Sequence, residues 1–295
     1  MIGHMTACIP NRELKALTSG CVRSTSALYE NELTVRRFAN MTNERNCVLA
    51  NGCKAAGTSA CNRQCSHFIA LHGASGNGGR SAAAGLPREY RLTTLANSPA
   101  RAGQPAVYKS VENYVKTFER QFEQTEGYIE PADRIKSLYL YSTNSGTGKT
   151  TTAAALLNEW LRVHYSGSLR RGLTPSLRPA YFLDVNEWQT EFNLATMTND
   201  EDGLTEFKRK MTLAMAAPFA VLDDVGVRDC TPAFRGYLHA IVNARVTNQL
   251  PTVYTSNIAL GRLSDVFGEK RLADRIGDLC WVSEFEGESK RGLRR

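Results

Sequence analysis

The segment Gly146-Thr147-Gly148-Lys149-Thr150 constrains this chain more than any other. It follows the apolar run Leu138-Tyr139-Leu140-Tyr141 and opens a helical stretch through Ala153 to Val163. A glycine-rich turn between a buried strand and a helix is the setting in which backbone N–H groups can wrap a phosphate. Gly146 and Gly148 let the backbone curl inward. The helix beginning near Lys149 adds its positive end, and the Lys149 ammonium is expected to reach the β- and γ-phosphates of ATP. Thr150 is expected to place its hydroxyl on Mg²⁺, with Thr151 beside it in the first turn. The full pattern asks for glycine five residues before Gly148, where this chain has Thr143, so the match covers the phosphate-wrapping core.

Around this loop the pattern alternates between strand and helix. Apolar runs at Leu138–Tyr141, Ala180–Leu183, Phe219–Leu222 and Thr252–Thr255 read as strands buried on both faces, and Cys280-Trp281-Val282 as a final one. Helical segments fall around Asn186–Phe192, Leu204–Ala216 and Pro232–Val246. This order predicts an α/β P-loop fold with a parallel sheet covered by helices. Ahead of it, Val107, Val111, Tyr114, Val115, Phe118 and Phe122 recur at helical spacing.

A magnesium nucleotide needs an acidic group at the end of a neighbouring strand. Phe219-Ala220-Val221-Leu222-Asp223-Asp224 supplies two. Asp223 is expected in the Mg²⁺ shell and Asp224 beside the attacking water; the alternative for Asp224 is a turn or helix cap. Asp184 also ends a strand and is the weaker candidate. Asn257, at the polar tip of Tyr254-Thr255-Ser256-Asn257, can help orient the water, although Asn after a strand is commonly turn chemistry.

The N-terminal third reads differently. Residues 1–85 hold a short helical stretch from Ser26 to Phe38, then Cys47, Cys53, Cys61 and Cys65, with His67 just beyond. Eight cysteines in a chain whose opening lacks a secretory signal point to reducing cytosol, where a local cluster suggests a metal rather than disulfides. Four thiolates, or three and the His67 imidazole, fit tetrahedral zinc. Residues 73–81, rich in glycine and serine, read as a flexible linker to an ATPase domain over 86–295. No 18-residue apolar run exists, so no membrane span is expected.

Together these elements resemble the AAA+ ATPases of the DnaC/DnaI helicase-loader family, especially a phage-type replication ATPase. The resemblance runs from about Leu138 to Val282. It rests on the loop, Leu222-Asp223-Asp224, Asn243-Ala244-Arg245, Leu250 to Asn257, and Phe267-Gly268-Glu269-Lys270-Arg271-Leu272-Ala273-Asp274-Arg275-Ile276. It implies ATP hydrolysis, a core without a sizeable helical lid, and an N-terminal module that docks on a replicative helicase delivered to single-stranded DNA. It implies that Asp223-Asp224 is the Walker B pair and Asn257 senses the γ-phosphate. It also implies that Arg275 reaches the nucleotide of a neighbouring subunit in a homo-oligomer, with Arg271 as a second phosphate-facing residue. An Asp-Asp pair, where many such proteins have Asp-Glu, implies slow or partner-stimulated hydrolysis.

IstB-type transposition helper ATPases look similar over the same core, and an ATP-binding adaptor with vestigial hydrolysis is a third reading. A formal charge of +7 suits a polyanionic partner. Arg162, His164, Arg170, Arg171 and Arg178 could grip DNA phosphates, with Tyr165 or Trp188 stacking on a base. The alternative is a solvated basic face with both aromatics packed beneath it.

Overall fold

The computed structural model describes residues 43–123, 133–226, 230–268 and 270–289, all within one compact unit. The expected Ser26–Phe38 helix, Cys8 and Cys21 lie outside these residues. Five parallel strands form the sheet: β1 (Ser137–Tyr141), β2 (Ala180–Asp184), β3 (Phe219–Asp223), β4 (Thr252–Ser256) and β5 (Cys280–Glu284). Their order across the sheet is β2-β3-β4-β1-β5. Before β1 come α1 (Ser66–His72), α2 (Gly79–Ala83) and α3 (Pro105–Lys116). The long α4 (Lys149–Arg170) follows β1, α5 (Val185–Thr198) and α6 (Glu201–Ala216) join β2 to β3, and α7 (Pro232–Thr247) joins β3 to β4. The short α8 (Leu263–Phe267) and α9 (Lys270–Leu279) precede β5.

Alternate residues of β1 to β4 enter different cores, which is why those runs are largely apolar, whereas β5 at the sheet edge is mostly exposed, with Trp281 and Val282 about half uncovered. Leu138, Leu140, Phe182, Val221 and Val253 pack under α3 and α4, where Trp160 stacks on Phe219 at 4.7 Å between ring centroids. Tyr139, Tyr181, Leu183, Leu222 and Tyr254 face α5, α6 and α7, where Trp188 stacks on Phe207 at 4.4 Å. Truncating Phe219 to alanine in so dense a core costs about 3–5 kcal/mol. Helix starts are capped by Asp184, Asp200 and Thr231, whose side chains accept backbone N–H bonds from Glu187, Gly203 and Phe234. Asp184 is therefore a helix cap.

One buried group was not anticipated as structural. Arg245 is fully buried near the end of α7, and all four of its hydrogen bonds go to neutral oxygens: Thr252 Oγ1 and the carbonyls of Ala214, Ala217 and Pro251. Burial pushes its pKa down to about 10, and the carbonyls closing α6 present the negative helix end that suits a cation.

The glycine-rich stretch read as a linker is a bonded corner between α1 and α2. Gly78 N donates to the His72 carbonyl at 2.7 Å, and a side chain at Gly79 would lie 2.5 Å from the Leu71 backbone. The cysteine-bearing segment is also tied to the ATPase core. Val48 and Leu71 pack on Tyr165 of α4, and Arg80 donates to the carbonyls of Pro175 and Ser176. Phe182 N on the outer edge of β2 donates to the Ala84 carbonyl at 2.7 Å. Residues 43–85 thus meet the sheet at Ala84 and the rest of the ATPase core through Tyr165, Pro175 and Ser176.

Candidate functional site

The tips of β1, β3 and β4 converge at the start of α4, as expected for ligand sites at the carboxyl ends of parallel strands. Gly146 and Gly148 take φ values of 75° and 104°. Gly148 needs glycine on a second count, because an added Cβ would meet the Ala100 Cβ at 2.4 Å. Residues 98–100 therefore press against the loop, and Tyr108 joins Ser98 to Thr152, whose hydroxyl donates to the Gly148 carbonyl at 2.9 Å. Thr151 is buried in the same first turn. Lys149 Nζ donates to the Asn144 carbonyl at 3.0 Å, and the Asn144 side chain donates to the Gly287 carbonyl at 3.0 Å. The residues after β5 are also laced to the site by Gln104, which donates to the Glu286 carbonyl at 2.7 Å. Thr147 is buried, and its hydroxyl has no partner among the described residues.

Asp223 and Thr150 face one another: the Thr150 and Thr255 hydroxyls both hydrogen-bond the Asp223 carboxylate. Burial, and then the charge of Asp224 beside it, push the Asp223 pKa up to about 7 against these two hydroxyls. A hydroxyl and a carboxylate so placed are hard oxygen donors that fit a Mg²⁺ ion held with a nucleotide. Asp224 occupies the left-handed region at φ 56°, with its N–H donated to Thr255 Oγ1 at 2.8 Å. Asn257 follows Ser256, which pairs with Tyr141 at the entrance to the phosphate loop, and its Oδ1 is buried without a partner.

Other expected site residues are placed elsewhere. Arg275 Nη1 donates to Asn243 Oδ1 at 2.8 Å and Nη2 to Thr247 Oγ1 at 3.3 Å, so within the chain it lies along α7. The side chain of Arg271 lies outside the described residues. His67 Nδ1 is bonded to the Tyr165 hydroxyl at 2.9 Å rather than held toward the cysteines. Cys47, Cys53, Cys61 and Cys65 are free and half-buried. Burial raises the Cys47 pKa, with smaller contributions from the Cys61, Cys65 and Cys53 thiols. Among the described residues no group of three or more His, Cys, Asp or Glu side chains could hold a metal, so the geometry does not support the expected zinc.

The basic cluster after the loop is engaged internally. Arg162 pairs with Glu159, Arg170 and Arg171 with Glu119, and Arg178 donates to the Ala83 carbonyl. His164 bonds Gln121 and accepts from Ser176 N. Trp188 is fully buried and Tyr165 nearly so, which removes both as stacking surfaces. No described helix is long and apolar enough to cross a membrane.

Comparison with known proteins gives several likenesses over this part of the chain. The chain is 27% identical over 210 residues to the replicative helicase loader DnaC of Escherichia coli K12, covering 69% of this chain and 78% of that protein. A solved primosome component of Streptococcus pyogenes is 23% identical with a TM-score of 0.46, covering 70% of this chain and 92% of that one. A crystal structure of the DnaC helicase loader is 19% identical with a TM-score of 0.47, covering 68% and 100%. The family model of IstB-like ATP binding proteins matches residues 128–295, more than half of the sequence. With its phosphate loop and strand-tip acids inside that match, the chain belongs to the family of IstB-like ATP binding proteins.

Proposed function

We propose that this protein is an ATPase that loads a replicative, DnaB-type helicase onto single-stranded DNA. The observation that carries the reading is the 27% identity to a replicative helicase loader, which extends over 78% of that protein's length. In this reading Gly146, Gly148 and Lys149 hold the phosphates, and Thr150 and Asp223 hold Mg²⁺, which supplies charge neutralisation when bound. Asp224 polarises the attacking water. Asn257, with its unpartnered buried Oδ1, accepts a hydrogen bond from that water and fixes its approach. Arg275 acts on the nucleotide of a neighbouring copy, so turnover depends on assembly. To do so it must leave Asn243 and Thr247.

Pull-down against replicative helicases with ATP, ADP or no nucleotide tests the loader reading. Nucleotide-dependent capture is expected, and its absence with every helicase tried would reject the reading. The trans role is tested by mixing Arg275→Ala with Lys149→Ala. A mixed interface pairs an intact loop with an intact arginine, so phosphate release should return in the mixture. Co-assembly without recovered activity at any ratio removes the trans assignment.

The family match favours one second reading, a transposition helper. Preferential capture of a transposase and duplex DNA over helicase and single strands would select it. Zinc enters the proposal only through the spacing of Cys47, Cys53, Cys61 and Cys65. Elemental analysis of protein purified without added metal is expected to give about one zinc per chain, the capacity of a four-thiolate set. Metal-free protein that remains folded would strike it out.

A further inference from the structure

The turn that leaves β3 is fastened to the tip of β4 by three hydrogen bonds. Asp224 N donates to Thr255 Oγ1 at 2.8 Å, Val225 N to the Thr255 carbonyl at 2.8 Å, and Ser256 Oγ to the Val225 carbonyl at 2.7 Å. Thr255 Oγ1 also gives its own proton to Asp223 Oδ1 at 2.6 Å. One hydroxyl therefore addresses both members of the acidic pair, accepting from the backbone of one and donating to the side chain of the other. A hydroxyl has a single proton, so the direction of these bonds is set.

Asp224 needs this support. Among the described residues, only Asn199 and Gln249 share its positive φ without being glycine. Left-handed backbone costs an L-residue about 1–2 kcal/mol and persists only where its surroundings hold it. Gly226, two residues on, is also left-handed, at φ 82°. The turn would otherwise have several ways to relax, each re-aiming the Asp224 carboxylate.

We propose that Thr255 is a positioning residue for hydrolysis, whose hydroxyl holds the Asp224 turn in the one conformation that aims its carboxylate at the attacking water. The proposal rests on the ATPase reading above. Packing alone does not require threonine here. Thr255 is fully buried in a strand, and valine has nearly the same shape and equal strand preference. What valine lacks is the hydroxyl, which touches only the acidic pair.

The test compares Thr255→Val with Thr255→Ser and the unaltered protein. It reads kcat, KM, the Mg²⁺ concentration at half-maximal rate, ATP-analogue affinity and thermal midpoint. Thr255→Val should lose roughly 10- to 100-fold in kcat, the scale of a misplaced catalytic group. Analogue affinity should stay within a factor of about three, because phosphate-loop contacts are untouched. Its Mg²⁺ requirement should rise, since Asp223 loses a hydrogen bond that orients it. Thr255→Ser should recover most of the rate. Unchanged kcat in Thr255→Val overturns the proposal while leaving the ATPase reading intact. Failure of Thr255→Ser to recover, or parallel loss of affinity and thermal midpoint, also overturns it, since the role would then be packing. If the unaltered protein releases no phosphate with any partner, the ATPase reading itself fails and takes the assignment with it.

Discussion

The strand tips and the cysteine-bearing segment both gather polar side chains, but they hold them by opposite means. At the tips, register does the holding. Asp184 stands opposite Asp223, and Tyr141 opposite Ser256, because whole strands are paired beneath them. In residues 43–65 the order is local, a succession of turns in which Cys47, Cys53, Cys61 and Cys65 each donate a backbone N–H to a carbonyl three residues back. Its long-range anchors are few: Val48 packs on Leu71 and Tyr165, and its N–H donates to His72 Nε2. A side chain at the tips can therefore be changed with the scaffold intact. In the cysteine segment each anchor carries a large share of the order.

Four substitutions or conditions can break that contrast. The largest effect is expected from Asp224→Asn, which should retain ATP binding and lose on the order of 100-fold or more in turnover, because an amide is a poor acceptor for the water's proton. Phosphate release at the original rate would mean Asp224 is not the polarising group. Lys149→Ala should weaken binding of a fluorescent ATP analogue by roughly 10- to 100-fold, the value of a charge-assisted contact. Its thermal midpoint should hardly move, and an unchanged affinity would place the nucleotide elsewhere.

The third effect is one of pH and is read at the segment. Burial, assisted by the Arg91 charge, lowers the His72 pKa from 6.5 to about 4, while its Nε2 accepts the Val48 N–H at 3.2 Å. The unfolded segment therefore binds the proton more readily. The stabilisation is complete above pH 6.5 and drains away as pH falls toward 4. Hydrogen exchange over residues 43–72, corrected for intrinsic rates, should rise between pH 7 and pH 5, whereas at β3 the raised pKa of Asp223 works in the opposite direction, because the folded strand end takes up a proton there. His72→Gln, which accepts without titrating, should flatten that response. The smallest effect is expected from Tyr165→Phe, which removes the His67 bond at about 0.5–1.5 kcal/mol. It should speed exchange in the segment and leave ATP affinity unchanged. Loss of affinity would show that the two regions are less separable than their construction implies.

Strands β1 to β4 were legible because their largely apolar runs are buried on both faces, and the phosphate loop because glycine has few other reasons to recur between a strand and a helix. Asp223 could be found from its place at a strand end. Thr255 could not, since threonine in a strand is unremarkable until its neighbours across the sheet are known. Arg245 reads in sequence as a charged helix residue, and only the carbonyls closing α6 reveal a reason to bury it. The corner at Gly73–Gly79 shows the limit of composition, because closely packed backbone requires the same residues as a loose tether. The bond of His67 was not legible for a related reason. Its partner lies 98 residues away, where local spacing carries no information.

The length of α4 has a consequence of its own. Lys149 begins this 22-residue helix, and Tyr165 lies roughly 24 Å farther along it, at 1.5 Å per residue. A helix of that length behaves as a lever. A tilt of about 3° at the phosphate end sweeps the tyrosine end by roughly 1 Å, enough to strain a hydrogen bond whose range is a few tenths of an ångström. A small movement of the phosphate loop must therefore either carry His67 and the cysteine segment with it or break the bond that joins them.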